Sequence, residues 1–227
     1  MKRSICWFLI MALIAMSFSF ASAEDYAVFN EDFSIRDGIK YGMSLADVKK
    51  VEETNGNGKY AAEVQQLDNG GRDIDYDGLS VAGVSNSYVR YTFDSNDRLY
   101  DIGYGLGDID VSYSSAKKVY DEMRQNLEDK YGKPINDSDD IFDIYSNQMK
   151  NMLFMASFFN VTGEFCQWIA QYDDCWCVID LMVFNDSMSS NFCYIGYRLV
   201  SYEEMAEYIS TSVAAAEEKA NELKSDL

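Results

Sequence analysis

Apolar and polar positions follow two different periods along this chain, and the changes of period mark its elements. Leu45, Val48 and Val51 recur at helical spacing after Ile39-Lys-Tyr-Gly-Met43. Ser44 can cap that helix and Asp47 can reach back to it, while Met43 and Val48 have the spacing of a hydrophobic staple. Gly56 and Gly58 end it about three turns later. The strongest helical stripe is Ala116, Val119, Tyr120, Met123, Leu127 and Tyr131, in a helix predicted over Ser112–Pro134. Ser114 or Ser115 supplies its cap, and Gly132 with Pro134 its stop. Asp143–Phe159, rich in Met, mixes helical spacing with extended signals. Ser201 with Glu204 forms another capping box, opening a helix in which Met205, Tyr208, Ile209 and Val213 share a face.

Between these helices the period falls to two. Val89, Tyr91 and Phe93 alternate with Tyr88, Arg90 and Thr92. Strands are predicted over Ile74–Val84, Ser87–Phe93 and Arg98–Leu106, then over Glu164–Tyr172, Cys175–Phe184 and Asn191–Val200. Asp68–Arg72, Ser95–Asp97, Asp173-Asp174 and Asn185–Ser190 are the turns. Shorter extended pieces are expected around Phe33–Ile35 and over Lys59–Leu67. The loops are too short for crossovers, so the strands run as antiparallel meanders. The order predicts an α+β protein, an antiparallel sheet with helices packed on one face. It reads as two helix-then-meander halves, 33–110 and 111–200.

The N-terminus adds a compartment. Lys2-Arg3, an apolar run from Ile5 to about Phe20, and Ala21-Ser22-Ala23 before Glu24 describe a signal peptide cut after Ala23. The expected organisation is 1–23 signal peptide, 24–200 α+β domain and 201–227 C-terminal helix and tail. No later run reaches the ~18 apolar residues of a membrane helix, so no membrane span is expected after cleavage. The formal charge is −19, and losing Lys2 and Arg3 deepens it, which argues against nucleic acid or an anionic membrane as partner.

Four cysteines follow the signal: Cys166, Cys175, Cys177 and Cys193. An even count in an exported chain permits two disulfides, and Cys175 and Cys177 point to one face of a strand. A cross-strand bridge from one of them to Cys166 or Cys193 is therefore expected, against the alternative of four reduced core residues. The C-x-C spacing and the absence of histidine give no metal site of the zinc type. Asp73-Ile-Asp-Tyr-Asp-Gly78 matches the opening of a calcium loop, yet Val84 stands where the closing Glu belongs. The simpler reading puts Ile74 and Tyr76 in the core and the aspartates in water. Without histidine there is no Ser-His or Cys-His kit, and no phosphate or dinucleotide loop is present; no cofactor is expected. Asp173 with Asp174, or Asp180 with Glu164, are the carboxylate pairs that could run hydrolysis, although turn chemistry and solvated charge account for them too. Asp180, inside an apolar strand, is the acid whose burial would matter most.

Tyr41-Gly-Met-Ser-Leu-Ala-Asp-Val-Lys-Lys-Val51 and Lys130-Tyr-Gly-Lys-Pro134 together carry a resemblance. They resemble the helix opening and helix ending of exported bacterial proteins of the class that includes β-lactamase inhibitor protein and the outer-membrane assembly lipoprotein BamE. Tyr91-Thr-Phe93 between the two helices is similar to a hairpin in secreted proteins of Gram-positive anaerobes. The resemblance covers 33–134 and, loosely, 164–200. It implies an α+β scaffold and a bacterial, extracellular setting. Inhibition and assembly both occur on that scaffold, so it does not choose an activity.

An acidic, aromatic-rich exported chain with no catalytic kit reads as a non-enzymatic binding or interaction module for a protein or surface glycan. The alternative is a carboxylate-dependent cell-surface hydrolase. The candidate contacts are Tyr91, Tyr100, Tyr104, Trp176, Tyr194 and Tyr197, on an uncovered sheet face. N-terminal sequencing of protein recovered outside the cell is expected to begin at Glu24; recovery of the chain with Met1 still attached would overturn the leader assignment.

Overall fold

The computed structural model describes residues 27–29, 36–107, 111–138, 162–172, 175–185 and 191–205. The leader expected over 1–23, the Met-rich stretch 143–159, the extended piece expected at 33–35 and the chain beyond 205 lie outside the described residues.

Serine caps place both helices. Helix α1 spans Leu45–Thr54, and Ser44 with Asp47 forms the full capping box. Helix α2 spans Tyr113–Tyr131, and its cap is Ser112, two or three residues earlier than Ser114 or Ser115. The Ser112 hydroxyl accepts the Ser115 N–H at 3.3 Å, which starts the helix before its apolar stripe does. Gly132, at φ 80°, ends it in a conformation that suits glycine.

The strands are β1 (Ala27–Phe29), β2 (Gln65–Gln66), β3 (Arg72–Val81), β4 (Val84–Phe93), β5 (Leu99–Leu106), β6 (Asn136–Ser138), β7 (Thr162–Tyr172), β8 (Cys175–Asn185) and β9 (Asn191–Val200). The strand expected over Lys59–Leu67 shrinks to a 3-10 turn at Gly58–Tyr60, an Ala61–Tyr76 bridge and β2. β1 and β6 were invisible to the alternation pattern, being three residues each.

All described strands join one sheet, ordered β1-β7-β8-β9-β5-β4-β3-β2, with β6 also on β7. Its centre is palindromic. The meander β3-β4-β5 meets the meander β9-β8-β7 through antiparallel pairing of the two last strands, so the two halves share one sheet. β1 and β6 line the outer edge of β7 end to end, β1 parallel at Ala170–Tyr172 and β6 antiparallel at Phe165–Gln167.

Register carries one face across both halves. Ile74, Tyr91, Ile102, Tyr197, Ile179 and Trp168 form one row, and Tyr76, Val89, Tyr104, Ile195, Leu181 and Cys166 the next. Both helices lie on this face. Trp168 donates its indole N–H to Gly132 O at 2.8 Å, and the Tyr120 hydroxyl meets Cys166 Sγ at 3.1 Å. The Tyr91 hydroxyl donates to Glu52 of α1. Each helix buries most of its predicted stripe, Leu45 and Val48 on α1 and Ala116, Tyr120, Met123, Leu127 and Tyr131 on α2, with Val51 and Val119 partly buried against the core.

The opposite face is polar at the seam. Asp75, Arg90, Gly103, Gly196, Asp180 and Gln167 form its central row. Asp73-to-Gly78 belongs to β3 rather than to a cation loop, and Asp75 accepts two bonds from Arg90 at 2.7 and 2.8 Å. Two tyrosine rings lie on glycine. A Cβ on Gly105 would sit 1.9 Å from Tyr88 Cε1, and one on Gly103 would sit 2.4 Å from the Tyr194 hydroxyl. Over β7 and β8 this face is closed: Phe165 and Val178 are buried although outside the main core, as is Met205.

None of Cys166, Cys175, Cys177 and Cys193 forms a disulfide, which corrects the cross-strand bridge expected above. Register is the reason. Cys166 stands opposite Leu181, Cys177 opposite Ala170 and Leu199, and Cys193 opposite Val183 and Leu106. Four residues separate the Cys177 and Cys166 rows, roughly 14 Å along the strand, far beyond disulfide reach. Cys177 meets the Tyr41 hydroxyl instead, at 3.2 Å.

Gly105→Ala is expected to cost about 1–3 kcal/mol, because the new methyl must displace the Tyr88 ring. Denaturant unfolding checks this as a double-mutant cycle: in a Tyr88→Ala background the penalty should largely vanish, and additive penalties would refute the ring-on-glycine packing.

Candidate functional site

Directly above the β5–β9 seam, on the helix-bearing face, lies a cleft of about 450 Å³. Its floor is Tyr104 and Leu106 of β5 with Ile195 and Tyr197 of β9. Helix α2 makes one wall with Met123 and Leu127 and one lip with Asn126 and Lys130. Arg36, Asp37 and Ser80–Ala82 make the other side.

That second side is built from two tight turns. Arg36 and Ile39 are bridged around Asp37-Gly38, and Val81 pairs with Val84 around Ala82-Gly83. All four central residues have positive φ, the geometry of two-residue hairpin loops, and only two of them are glycine. Ala82 therefore holds a left-handed conformation that alanine adopts at a cost.

A buried acid anchors the Arg36 turn. Glu52 is 0% exposed and holds three residues together. It accepts from the Tyr91 hydroxyl, accepts from Asn57 Nδ2 at 2.6 Å, and lies 3.3 Å from Arg36 Nε. The Tyr91 hydroxyl is held far above the usual phenol range, by burial first and then by the Glu52 charge. Glu52 shares the Leu45 and Val48 face of α1, so its helical spacing was the signal for it. Asp37-Gly38 was likewise a readable turn. Neither was singled out from the sequence.

The floor is aromatic and aliphatic. Tyr104 and Tyr197 meet edge to face with centroids 6.1 Å apart. Burial pushes the Tyr197 hydroxyl up to about 12, against the pull of its hydrogen bond with Tyr131. The charges at the rim are Arg36, Asp37 and Lys130. Desolvation lowers the Lys130 ammonium below the usual lysine value.

The six candidate tyrosines and tryptophan thus separate. Tyr104 and Tyr197 come together in the cleft. Tyr91 is corrected from a surface contact to a fully buried one, beneath α1. Tyr100 is the extra residue of a bulge between the Thr92–Asp101 and Phe93–Leu99 pairs, and is half-buried. Tyr194 lies flat over Gly103 on the opposite face, and there Trp176 packs edge-on against Tyr202 at 5.7 Å.

Of the proposed carboxylate pairs, Asp180 with Glu164 does not assemble. Glu164 faces α2, 3.2 Å from Lys117 Nζ, whereas Asp180 is on the other face and accepts from Gln167 Nε2 at 2.8 Å. Asp173 and Asp174 lie outside the described residues. A different acid emerges beside Asp180. Asp101 is paired in register with Arg198, and Arg198 stands between Asp101 and the Asp180 strand. Burial pushes Asp101 up to about 7, with Asp180 and Asp73 adding to the shift and Arg198 opposing it. Asp180 is raised too, by burial. Among the described residues no cluster of three or more potential metal ligands occurs.

Comparison with protein-family models, with curated proteins and with solved structures finds no match to this chain.

Asp101 makes stability depend on pH. Its folded-state value of about 7 lies above the unfolded value of about 4, so the stability of the protonated form is complete below about pH 4 and is lost as the pH rises through 7. Asp101→Asn is expected to flatten the stability profile between about pH 4 and 7 and to be the more stable protein at about pH 8 by a few kcal/mol at most. Chemical denaturation across that range checks it, and an unchanged slope would show that Asp101 does not titrate there.

Proposed function

We propose that this chain is an exported, non-enzymatic binding module whose recognition site is the cleft over the β5–β9 seam. The observation that carries the reading is the cleft's composition: an aromatic and aliphatic floor and an apolar α2 wall, facing a polar side built by Arg36, Asp37 and Ser80. Binding sites have this make-up, and they favour the junction of two halves. Among the described residues Asp37 is the one carboxylate in the lining, and it has no second carboxylate facing it there. The recognition surface is the helix-bearing face rather than the open sheet face that the strand pattern suggests. At family level the reading corresponds to a secreted bacterial recognition protein of the β-lactamase inhibitor protein and BamE-like class.

One observation favours a second reading, a carboxylate-dependent hydrolase using the opposite face: Asp101 titrates near neutrality beside Arg198 and Asp180. It is the weaker reading, since Asp180 is spent on Gln167 and Gly103 and Gly196 leave Tyr194 occupying the floor between.

The test is a fragment screen by methyl NMR on the protein labelled at Met, Leu and Ile. Ligands are expected to shift Met123, Leu127 and Ile195 together, and Asn126→Trp, which sets an indole across the lip, is expected to weaken binding by about tenfold or more. Shifts confined to residues around Asp101 and Asp180 would transfer the function to the other face.

A further inference from the structure

On the face opposite the cleft we propose a second recognition site, independent of the first: a platform for a neutral glycan. Sugar rings would lie on Tyr88 and Tyr194, with their hydroxyls held by Arg198, Asp101 and Asp180. The sheet is bare of side chains there. Gly103 and Gly105 of β5 and Gly196 of β9 are buried, and Gly103 faces Gly196 across the seam. Tyr88 and Tyr194 flank Gly105 in one row, from the two neighbouring strands. The Tyr88 ring folds down onto Gly105, and the Tyr194 ring runs over Gly196 and Gly103. Side chains ordinarily stand upright on a sheet, so two tyrosines lying flat need the glycines beneath them. Each ring uses one face on backbone, and both residues stay half-buried. The other ring face offers apolar area to the C–H face of a sugar ring.

The polar groups around the rings are not committed elsewhere. Among the described residues the Arg198 guanidinium, the Asp101 carboxyl and the hydroxyls of Tyr88 and Tyr194 close no hydrogen bond or salt bridge, although Arg198 and Asp101 stand in register. Arg198 is exposed and acts on Asp101 and Asp180 only through its field. Asp180 gives Oδ1 to Gln167 Nε2, which leaves Oδ2. Arg90 and Asp75, by contrast, satisfy each other at the border of the patch. A sugar hydroxyl donates and accepts at once, which suits a guanidinium set beside carboxyl groups. Charge narrows the class of sugar. Arg90 and Arg198 stand against Asp73, Asp75, Asp77 and Asp180, with Asp101 titrating near neutrality. That sum is negative, so an acidic or sulfated chain is repelled. A cationic amino sugar meets the exposed Arg198 before the recessed acids. A neutral chain avoids both repulsions.

Isothermal titration of the full exported chain tests this, with cellohexaose, maltohexaose and N-acetylchitohexaose as neutral probes and hexagalacturonate and the glucosamine hexamer as charged ones. At least one neutral hexamer is expected to bind about tenfold more tightly than either charged one at low salt. Tyr194→Phe should keep most of that affinity, whereas Tyr194→Ala and Arg198→Ala should each lose about tenfold. Arg198 is exposed, so Arg198→Ala is expected to fold as the parent does and carries the test if Tyr194→Ala does not fold. Asn126→Trp, at the lip of the cleft, should leave sugar binding unchanged. A parent that binds no neutral hexamer, or binds a charged one as tightly, overturns the glycan assignment and leaves the cleft reading standing. Sugar binding that survives Arg198→Ala undiminished, or is lost in Asn126→Trp, overturns the platform.

Discussion

Antiparallel pairing of β5 with β9 is the constraint on which the rest of this molecule depends. It runs from Asp101–Arg198 to Leu106–Cys193 and puts Gly103 against Gly196 near its middle. Because the two strands are the last of their meanders, this one ladder turns two three-stranded units into a continuous sheet. Everything of chemical interest then falls on the two sides of a single seam. On one side Tyr104, Leu106, Ile195 and Tyr197 form the floor of the cleft. On the other, the glycines admit the Tyr194 ring and bring Asp101 and Arg198 into register. Losing the side chains at Gly103 and Gly196 costs packing and backbone entropy, and it is what lets an aromatic ring lie against the ladder.

The second constraint is the buried Glu52. An ionisable group removed from water is costly unless nearly every lone pair is met, and here a phenol, an amide and a guanidinium surround it. The result is geometric more than stabilising. Helix α1, strand β4 and the Arg36 turn are fixed to a common point, so one side of the cleft is tied to the same sheet that supplies its floor. The α2 side is tied down independently, by Trp168 to Gly132 and by Tyr120 to Cys166. A groove between two separately anchored walls keeps its width.

Local pattern made the elements legible. Ser44 with Asp47, Ser201 with Glu204 and the Ala116-to-Tyr131 stripe are short-range signals, and the structure has them as read, apart from the cap of α2 at Ser112. Strand parity was also present in the sequence. Tyr91 alternates in phase with Val89 and Phe93, which already placed it on the apolar face and against a surface role. What could not be read was register between segments remote in the chain. Whether Cys177 reaches Cys166, and whether Tyr104 meets Tyr197, depends on which strands pair and with what offset; the first fails and the second succeeds for that reason alone. The cleft needs the β5–β9 ladder, a helix lip and two tight turns at once, so no window of sequence contains it.

The placement of β1 sets an order of events. Ala27 pairs with Ala170, which is made 143 residues later, and the pairing is parallel at an edge shared, among the described residues, with β6. A chain synthesised from its N-terminus can complete the β3-β4-β5 meander from near neighbours, yet its first strand has no template until β7 exists. Closing so long a loop is an entropic burden repaid by only three residue pairs. Among the described strands β1 thus waits longest between its own synthesis and that of its partner, and until it docks that stretch of the β7 border is open to pairing with another copy of the chain.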